Sequence, residues 1–288
     1  MKSPPSALHA LRQRRPEWVP WLAVIEELLQ AMADAAWTVD VAVAAIAPST
    51  PLLAGASIAM PAAAARRLLD RLIATASRGG TSEMSTLGGV LHSDVDLPLL
   101  ISAAIARSRS AVDRLAARTG ADPEALDAIA GLLTLPLLQA CHRRWAATVP
   151  EGWTQPYCPM CGAWPVLAEV RGIERSRFFR CGRCGSEWHA RMLACPYCAM
   201  DDHEQLVTLV PEQGGAAAVI DACRRCRGYV KVLTRLQGCK PELVMVEDIA
   251  TVDLDLAAVT QGYTRPGGVG YAIHVTLSDL TSASGAFA

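Results

Sequence analysis

The stretch Cys158-Pro159-Met160-Cys161 begins a series of four Cys-x-x-Cys motifs that decides the architecture of the second half of the chain. A Cys-x-x-Cys turn places two thiolates on one side of a tight loop, and two such turns supply a tetrahedral set of four sulfurs. Zinc and rubredoxin-type iron both prefer this environment. The motifs therefore predict two tetrathiolate metal ions per chain, iron or zinc, held by eight of the ten cysteines: Cys158, Cys161, Cys181, Cys184, Cys195, Cys198, Cys223 and Cys226.

Disulfides and dithiol redox chemistry are the alternatives to metal binding. Structural disulfides would need an oxidising compartment. We expect no export signal, because the twin arginines Arg14-Arg15 are followed by Glu17 and Glu26 where an uncharged segment is required. A redox dithiol usually occurs as one motif beside a βαβ pattern. Metal binding is favoured over both, and a structural role is the default for a closed site.

The four motifs can combine into two sites in three ways. Strand-turn-strand patterns occupy the gap between the first two motifs, over residues 163–170 and 177–180. The gap between the last two motifs repeats the pattern, over residues 205–210 and 217–220. Such hairpins bring sequential motifs together. We therefore favour two consecutive ribbon modules, while the cross-braced pairing remains open.

Glycine follows the second cysteine in each motif of the first module, at Gly162 and Gly185. A glycine there permits a positive φ angle, which aims backbone N–H groups at the sulfurs. Ala199 and Arg227 occupy the equivalent positions of the second module. The second site is therefore predicted to be looser or more exposed than the first.

The residues before the motifs show the three- and four-residue apolar spacing of helices. We predict helices over residues 16–32, 62–76, 97–105 and 122–145, with a kink at Pro136 in the last one. Residues 17–147 are thus expected to form an all-α bundle, preceded by a loose arm and containing Cys141 as a buried small hydrophobe. A flexible Gly/Ser/Thr stretch is expected after Gly79-Gly80.

The chain after the last motif is predicted to be mixed. Residues 229–233 alternate as a strand, residues 242–247 resemble another strand, and residues 251–259 are predicted as a short helix. The division we expect is a helical domain at 1–150, two four-cysteine modules at 151–193 and 194–240, and a C-terminal extension at 241–288. This is an α+β multidomain fold class.

Charge and hydropathy limit the partners. The net charge is −1 over 288 residues, so no overall polybasic character indicates nucleic acid. Residues 41–65 carry no charge but are interrupted by three prolines, whereas a spanning helix needs about 20 predominantly apolar residues. No membrane insertion is expected.

Basic residues crowd the motifs, and two interpretations stay open. They balance the charge of the anionic sites, or they form a docking face for an acidic partner or nucleic acid. No catalytic set is recognisable, since deaminase, Walker and dinucleotide-binding motifs are absent from the sequence. The residues concerned are Arg171, Arg175, Arg177, Arg180, Arg183, Arg191, Arg224, Arg225, Arg227 and Lys231.

Four ordered segments resemble the FdhE family of formate dehydrogenase accessory proteins. They are Cys158-Pro-Met-Cys-Gly, Arg180-Cys-Gly-Arg-Cys-Gly-Ser-Glu-Trp-His, Ala194-Cys-Pro-Tyr-Cys and Asp221-Ala-Cys-Arg-Arg-Cys-Arg-Gly-Tyr-Val-Lys. The resemblance extends over roughly residues 150–275 and includes residues 246–255 and the Gln261-Gly-Tyr segment.

The resemblance implies a helical N-terminal domain joined to two rubredoxin-like modules. It implies a cytoplasmic, non-enzymatic maturation factor that binds the catalytic subunit of a respiratory formate dehydrogenase. Iron rather than zinc is associated with the cysteine sites of that family. A zinc-ribbon nucleic-acid-binding protein and an iron-based electron-transfer protein are the alternative functions.

Overall fold

The structure is a computed structural model that describes residues 4–43, 47–79, 82–90, 95–150, 152–211 and 217–280. The chain forms two compact units. The first comprises Met1–Ala45, Leu53–Trp145 and Ile273–Ala288, and the second comprises Ile46–Leu52 and Ala146–Ala272. Mixed helix and sheet confirms the α+β class. The division into four domains stays a prediction.

The helices of the described residues have the following bounds. In the first unit they are α1 (Pro4–Arg14), α2 (Val19–Ala33), α3 (Ala62–Gly79), α4 (Ser82–Val90), α5 (Leu97–Ile105), α6 (Arg109–Thr119) and α7 (Pro123–Trp145), and in the second unit α8 (Val244–Ala250) and α9 (Val252–Thr260).

Within the same parts of the chain, the strands form two sheets, one in each unit. The strands are β1 (Asp40–Ala42), β2 (Ser57–Met60), β3 (Leu167–Arg171), β4 (Ser176–Arg180), β5 (Glu187–His189), β6 (Leu206–Leu209), β7 (Ala218–Cys223), β8 (Tyr229–Arg235) and β9 (Thr276–Asp279). The first unit has the order β1-β2-β9, and the second has the order β5-β4-β3-β8-β7-β6.

The core of the first unit is built around α7, which packs against α2, α5 and α6. The Asp96 side chain caps α5 by accepting from the Leu99 N–H at 3.0 Å, as its position before the helix would predict. Helix α7 is long and apolar enough to cross a membrane by length and composition. However, 72% of its most apolar 18-residue stretch is buried within the protein, as in the core helix of a folded domain.

Three expectations for the first unit are wrong. The unit is not all-α, because β2 pairs antiparallel with β1 and parallel with β9. The arm expected over residues 1–16 contains α1, whose Leu8 and Leu11 are buried. The stretch expected to be flexible contains α4 in its described part.

The sheet of the second unit joins the two ribbon modules. The first hairpin, β3–β4, and the second, β6–β7, are both antiparallel, as predicted. Strand β8 then pairs antiparallel with β7 and parallel with β3, so the modules share one continuous sheet. The strand expected over residues 242–247 is wrong, because α8 begins at Val244 and buries Val244 and Val246.

Candidate metal centres

The first centre lies where the β3–β4 hairpin brings two Cys-x-x-Cys turns together. The turn of Cys158 and Cys161 precedes β3, and the turn of Cys181 and Cys184 follows β4. The ligand atoms of all four cysteines lie within 4.8 Å of one another. The hairpin thus delivers the second turn to the first.

The second centre repeats this arrangement on the β6–β7 hairpin. Cys195 and Cys198 precede β6, Cys223 ends β7, and Cys226 precedes β8. These four ligand atoms also lie within 4.8 Å of one another. The sequential grouping of motifs is therefore the one found, and the cross-braced pairing is not.

Sulfur separations fit one metal ion in each centre. The Sγ–Sγ distances are 3.5 Å for Cys158–Cys184 and for Cys161–Cys181. In the second centre they are 3.5 Å and 3.7 Å, for Cys195–Cys226 and Cys198–Cys223. Four sulfurs at about 2.3 Å from a central ion are about 3.8 Å apart, whereas a disulfide bond measures about 2.05 Å. None of the ten cysteines forms a disulfide.

The same backbone turn closes all four motifs. The N–H of the residue after the second cysteine donates to the carbonyl of the first cysteine, at 2.9–3.1 Å. That residue has a positive φ in every motif: 72° at Gly162, 77° at Gly185, 57° at Ala199 and 59° at Arg227. A left-handed conformation costs a non-glycine residue roughly 1–2 kcal/mol. The second centre therefore keeps the geometry of the first at the expense of backbone strain, and it is not looser in this respect.

Contacts of the Arg227 side chain hold this residue in its strained conformation. Its Nε and Nη2 donate to the carbonyl oxygens of Gly262 and Gln261, at 3.1 Å and 2.7 Å. Its guanidinium lies 4.2 Å from the ring centre of Tyr263. The carbonyls directly follow α9, where a cation is favoured by the helix dipole. The last turn of the second centre is thus attached to the end of α9.

The two centres differ in their access to solvent. All four cysteines of the first centre are fully buried, whereas Cys198 is half-buried and Cys226 is exposed in the second. The prediction of a more exposed second site is confirmed. One edge of that centre faces solvent, while Cys195 and Cys223 face the interior.

Without a bound metal ion, burial strongly affects the protonation of the four thiols of the first centre. Burial raises the pKa of Cys158 and of Cys184 well above its usual range. Burial acts in the same direction on Cys181, but hydrogen bonds from the three neighbouring thiols outweigh it and lower the pKa of that thiol. The four thiols cannot all ionise together without a cation among them. This donor set fits a divalent or trivalent thiophilic ion.

Hydrogen bonds to sulfur support this fit. The N–H groups of Arg183 and Cys184 point at the Cys181 Sγ, at 3.4 Å and 3.5 Å. The Gly228 N–H donates to the Cys226 Sγ at 3.3 Å. The Ser186 hydroxyl lies 3.0 Å from the Cys184 Sγ. Donors of this kind stabilise thiolate charge and tune the potential of an iron site.

Five of the ten basic residues near the motifs, Arg171, Arg177, Arg180, Arg191 and Lys231, pair with carboxylates. Glu169, which is fully buried, lies 3.0 Å from Arg180 and 3.3 Å from Arg235, and also pairs with Arg171. Burial alone would raise the pKa of Glu169, but Arg180, the Cys239 N–H and Arg171 lower it below its usual value. The positive charge of these arginines is therefore balanced mainly by acidic side chains, which the sequence alone did not indicate.

A second buried network joins β8 to α8 and α9. The fully buried Lys231 lies 2.7 Å from Asp248 and 2.8 Å from Asp255. Arg265 pairs with the same two carboxylates, and Tyr229 donates to Asp255 at 2.6 Å. Both aspartates belong to the 246–255 segment of the family resemblance. Its acidic residues thus have a structural role that only the fold could reveal.

The two remaining cysteines stand apart from both centres. Cys141 is fully buried within α7, as predicted. Cys239 is buried beside Glu169, where burial raises its pKa to about 12. A thiol with such a pKa is a poor nucleophile and a poor ligand at neutral pH.

The fold and the two centres define a class of protein in which paired cysteine ribbons share one sheet, each ribbon able to hold one metal ion. Residues 157–192 match the family model described as "FdhE, central domain". "Protein FdhE" of Escherichia coli O127:H6 is 32% identical over 121 residues, which are 41% of this chain and 38% of that protein. "Protein FdhE" of Shigella boydii serotype 18 is 31% identical over the same shares.

The matched region thus spans under two fifths of the length of these relatives. The crystal structure of the FdhE protein from Pseudomonas aeruginosa aligns with a TM-score of 0.60 and 21% identity, covering 93% of each chain. The family match and the curated relatives each cover less than half of this chain, and the crystal structure shows that the chain has the same fold as that FdhE protein.

Proposed function

We propose that this chain is a cytoplasmic accessory protein that binds the catalytic subunit of a respiratory formate dehydrogenase and assists its assembly or activation. The observation that carries the proposal is the ordered set of four motifs gathered into two tetracysteine centres, in a fold shared with an FdhE protein. In this proposal the chain acts by binding its client and not by catalysis.

The eight motif cysteines hold two metal ions in this proposal. Cys158, Cys161, Cys181 and Cys184 enclose the first ion, where the exclusion of water suits a structural role. Cys195, Cys198, Cys223 and Cys226 hold the second ion at an exposed edge. A bound iron would supply a one-electron couple at this edge, whereas zinc would supply only shape.

Copurification with the client is the direct test. The tagged chain should retain the formate dehydrogenase catalytic subunit, and Cys184→Ser or Cys226→Ser should lose it along with metal. Cys141→Ala is the matched control, because it removes a buried cysteine outside both centres. Full retention of the client by metal-free variants would contradict the proposal.

The identity of the metal decides between two roles for the centres. A ferric tetrathiolate absorption spectrum would favour a centre that senses the redox state in which the client can be loaded. Colourless protein with two zinc ions per chain would favour centres that only shape the docking surface.

Electron transfer is the second candidate function, because the exposure of Cys226 brings one ligand of the second centre to the surface. Potentiometry of the iron-loaded chain tests it. A reversible Fe(III)/Fe(II) couple, together with electron exchange with the formate dehydrogenase subunit, is expected for this function. A centre that cycles without passing electrons to any formate dehydrogenase subunit would contradict it.

A further inference from the structure

The turn between α1 and α2 exposes a group of large apolar side chains. Val19 and Trp21 are 44% and 48% exposed, and Pro20 between them is also exposed. The Trp18 ring lies edge-on to the Trp21 ring, with the ring centres 6.1 Å apart. Apolar side chains scattered singly on a surface need no explanation, but a contiguous group marks a contact surface. We call residues 18–21 the tryptophan corner.

Local contacts hold the tryptophan corner in one conformation. The Trp18 N–H donates to the Arg15 carbonyl at 3.0 Å, and the single helical turn Pro16–Trp18 leads directly into α2. Pro20 lies in the first turn of α2 and packs against the end of α3, because a Cβ added to Gly79 would lie 2.2 Å from the Pro20 Cβ. The apolar side chains are therefore presented by a preorganised turn, which loses little conformational entropy on binding.

Positive charge flanks the tryptophan corner from two helices. Arg14 ends α1, is exposed, and forms no ion pair with any described residue. The Arg15 guanidinium lies beside the Trp18 ring, and Glu17, 4.0 Å away, offsets its charge. Arg78 is exposed in the last turn of α3, the helix whose end meets the corner. Arg14 and Arg78 thus give this surface a positive charge that the neighbouring carboxylate does not cancel.

Tryptophan and arginine together suit the boundary between water and lipid. An indole ring favours the depth of the lipid headgroups, and an arginine attracts anionic headgroups while its stem lies along apolar surface. An acidic protein segment would have to match its carboxylates to two arginines on different helices, whereas anionic lipids supply negative charge on all sides. We propose that the tryptophan corner docks this chain reversibly on an anionic membrane surface. The contact is peripheral, without a spanning helix, and it does not depend on the identity of the client.

Vesicle sedimentation of the zinc-loaded full chain is the direct test. Vesicles of phosphatidylcholine with about 30% phosphatidylglycerol supply the negative surface, and vesicles of phosphatidylcholine alone are the comparison. Binding should require the anionic lipid and should be largely lost at about 0.5 M salt, because salt screens the attraction. Brominated acyl chains should quench part of the tryptophan fluorescence, since Trp21 would meet them, whereas Trp37, Trp153 and Trp188 are buried.

Matched variants identify the surface. Trp21→Ala should weaken vesicle binding by about tenfold or more, because it removes the largest exposed apolar group of the corner. Arg14→Gln should weaken it by about fivefold, the value expected for one basic residue near an anionic surface. Leu236→Ala is the control that should bind normally, because it removes an 84% exposed apolar side chain from the second unit.

Folding is checked by circular dichroism, and the test does not depend on one variant. If Trp21→Ala fails to fold, Arg14→Gln combined with Arg78→Gln takes its place, since both arginines are exposed. Equal binding to neutral vesicles, equal weakening by Leu236→Ala, or no sedimentation with either kind of vesicle would overturn the proposal. Binding of a capped oligoglutamate peptide without binding of vesicles would assign the corner to an acidic protein segment, and would overturn it as well.

Discussion

Replacing Glu169 by glutamine tests whether the buried carboxylate holds the second unit together. Glu169 is fully buried and pairs with Arg171, Arg180 and Arg235, and its Oε1 accepts from the Cys239 N–H at 3.0 Å. Glutamine preserves the shape and removes the charge. Arg180, which is 1% exposed, then remains buried without its main counter-charge.

The expected loss follows from the burial of both partners. Breaking a buried ion pair by removing one charge costs about 3–5 kcal/mol, because the remaining charge is left uncompensated. Glu187 contacts the same Arg171 and Arg180 but is 48% exposed. An exposed pair contributes about 0–1 kcal/mol, so Glu187→Gln is a matched control that should lose at most about 1 kcal/mol.

Chemical denaturation of the metal-loaded chain, followed through tryptophan fluorescence to which the buried Trp188 contributes, measures both variants. Thermal unfolding should show a shift of about 10 °C for Glu169→Gln, given about 2–4 °C per kcal/mol in domains of 150–250 residues. Metal content measured in parallel excludes loss of an ion as the cause. Equal losses for the two variants would refute the reasoning that burial makes Glu169 the central charge.

Three further predictions concern metal release, backbone strain and pH. A chelator should remove one ion per chain quickly and the other only slowly, since Cys226 is exposed and the first centre is buried; simultaneous release of both ions would contradict this. Gly162→Ala should lower the free energy of unfolding by more than about 2 kcal/mol, because φ is 72° and the new Cβ would lie 2.2 Å from the Tyr271 carbonyl oxygen. Ala199→Gly should instead raise the free energy of unfolding by up to about 1 kcal/mol. Burial alone would raise the pKa values of Glu169 and Asp255, but their basic partners lower them. The stability they contribute is present above about pH 4 and is lost as pH falls through the lowered values, so denaturation midpoints should fall more steeply in acid for the parent chain than for Glu169→Gln.

The motifs and hairpins of the ribbon modules were predictable because each depends on residues that are close together in the sequence. Two cysteines separated by two residues define each turn, and the strands between the turns fix which turns meet. The pairing of β3 with β8 was not predictable, since it joins strands far apart in sequence. For the same reason β9 could not be predicted, because its parallel partner β2 lies near the other end of the chain.

Two other predictions were wrong because the local sequence pattern is compatible with more than one secondary structure. Residues 242–247 have the apolar composition of a strand, but they form a helix that places Asp248 beside the buried Lys231. The polar start of the chain resembled an arm, yet Leu8 and Leu11 form the buried side of a helix. In each case tertiary contacts, which the local pattern does not contain, decided the outcome.

The asymmetry of the two centres bears on what their ions do. Both centres are closed in the sense that four protein ligands fill each, but only the first is also fully buried. The second centre instead leaves Cys226 exposed, while the adjacent Arg227 keeps a left-handed backbone that costs roughly 1–2 kcal/mol. Two hydrogen bonds and a ring contact from the Arg227 side chain maintain that conformation. Local strain held in place at an accessible site is characteristic of functional positions. Under the proposed function, this asymmetry favours a structural role for an ion in the first centre and a role in client recognition or redox sensing for an ion in the second.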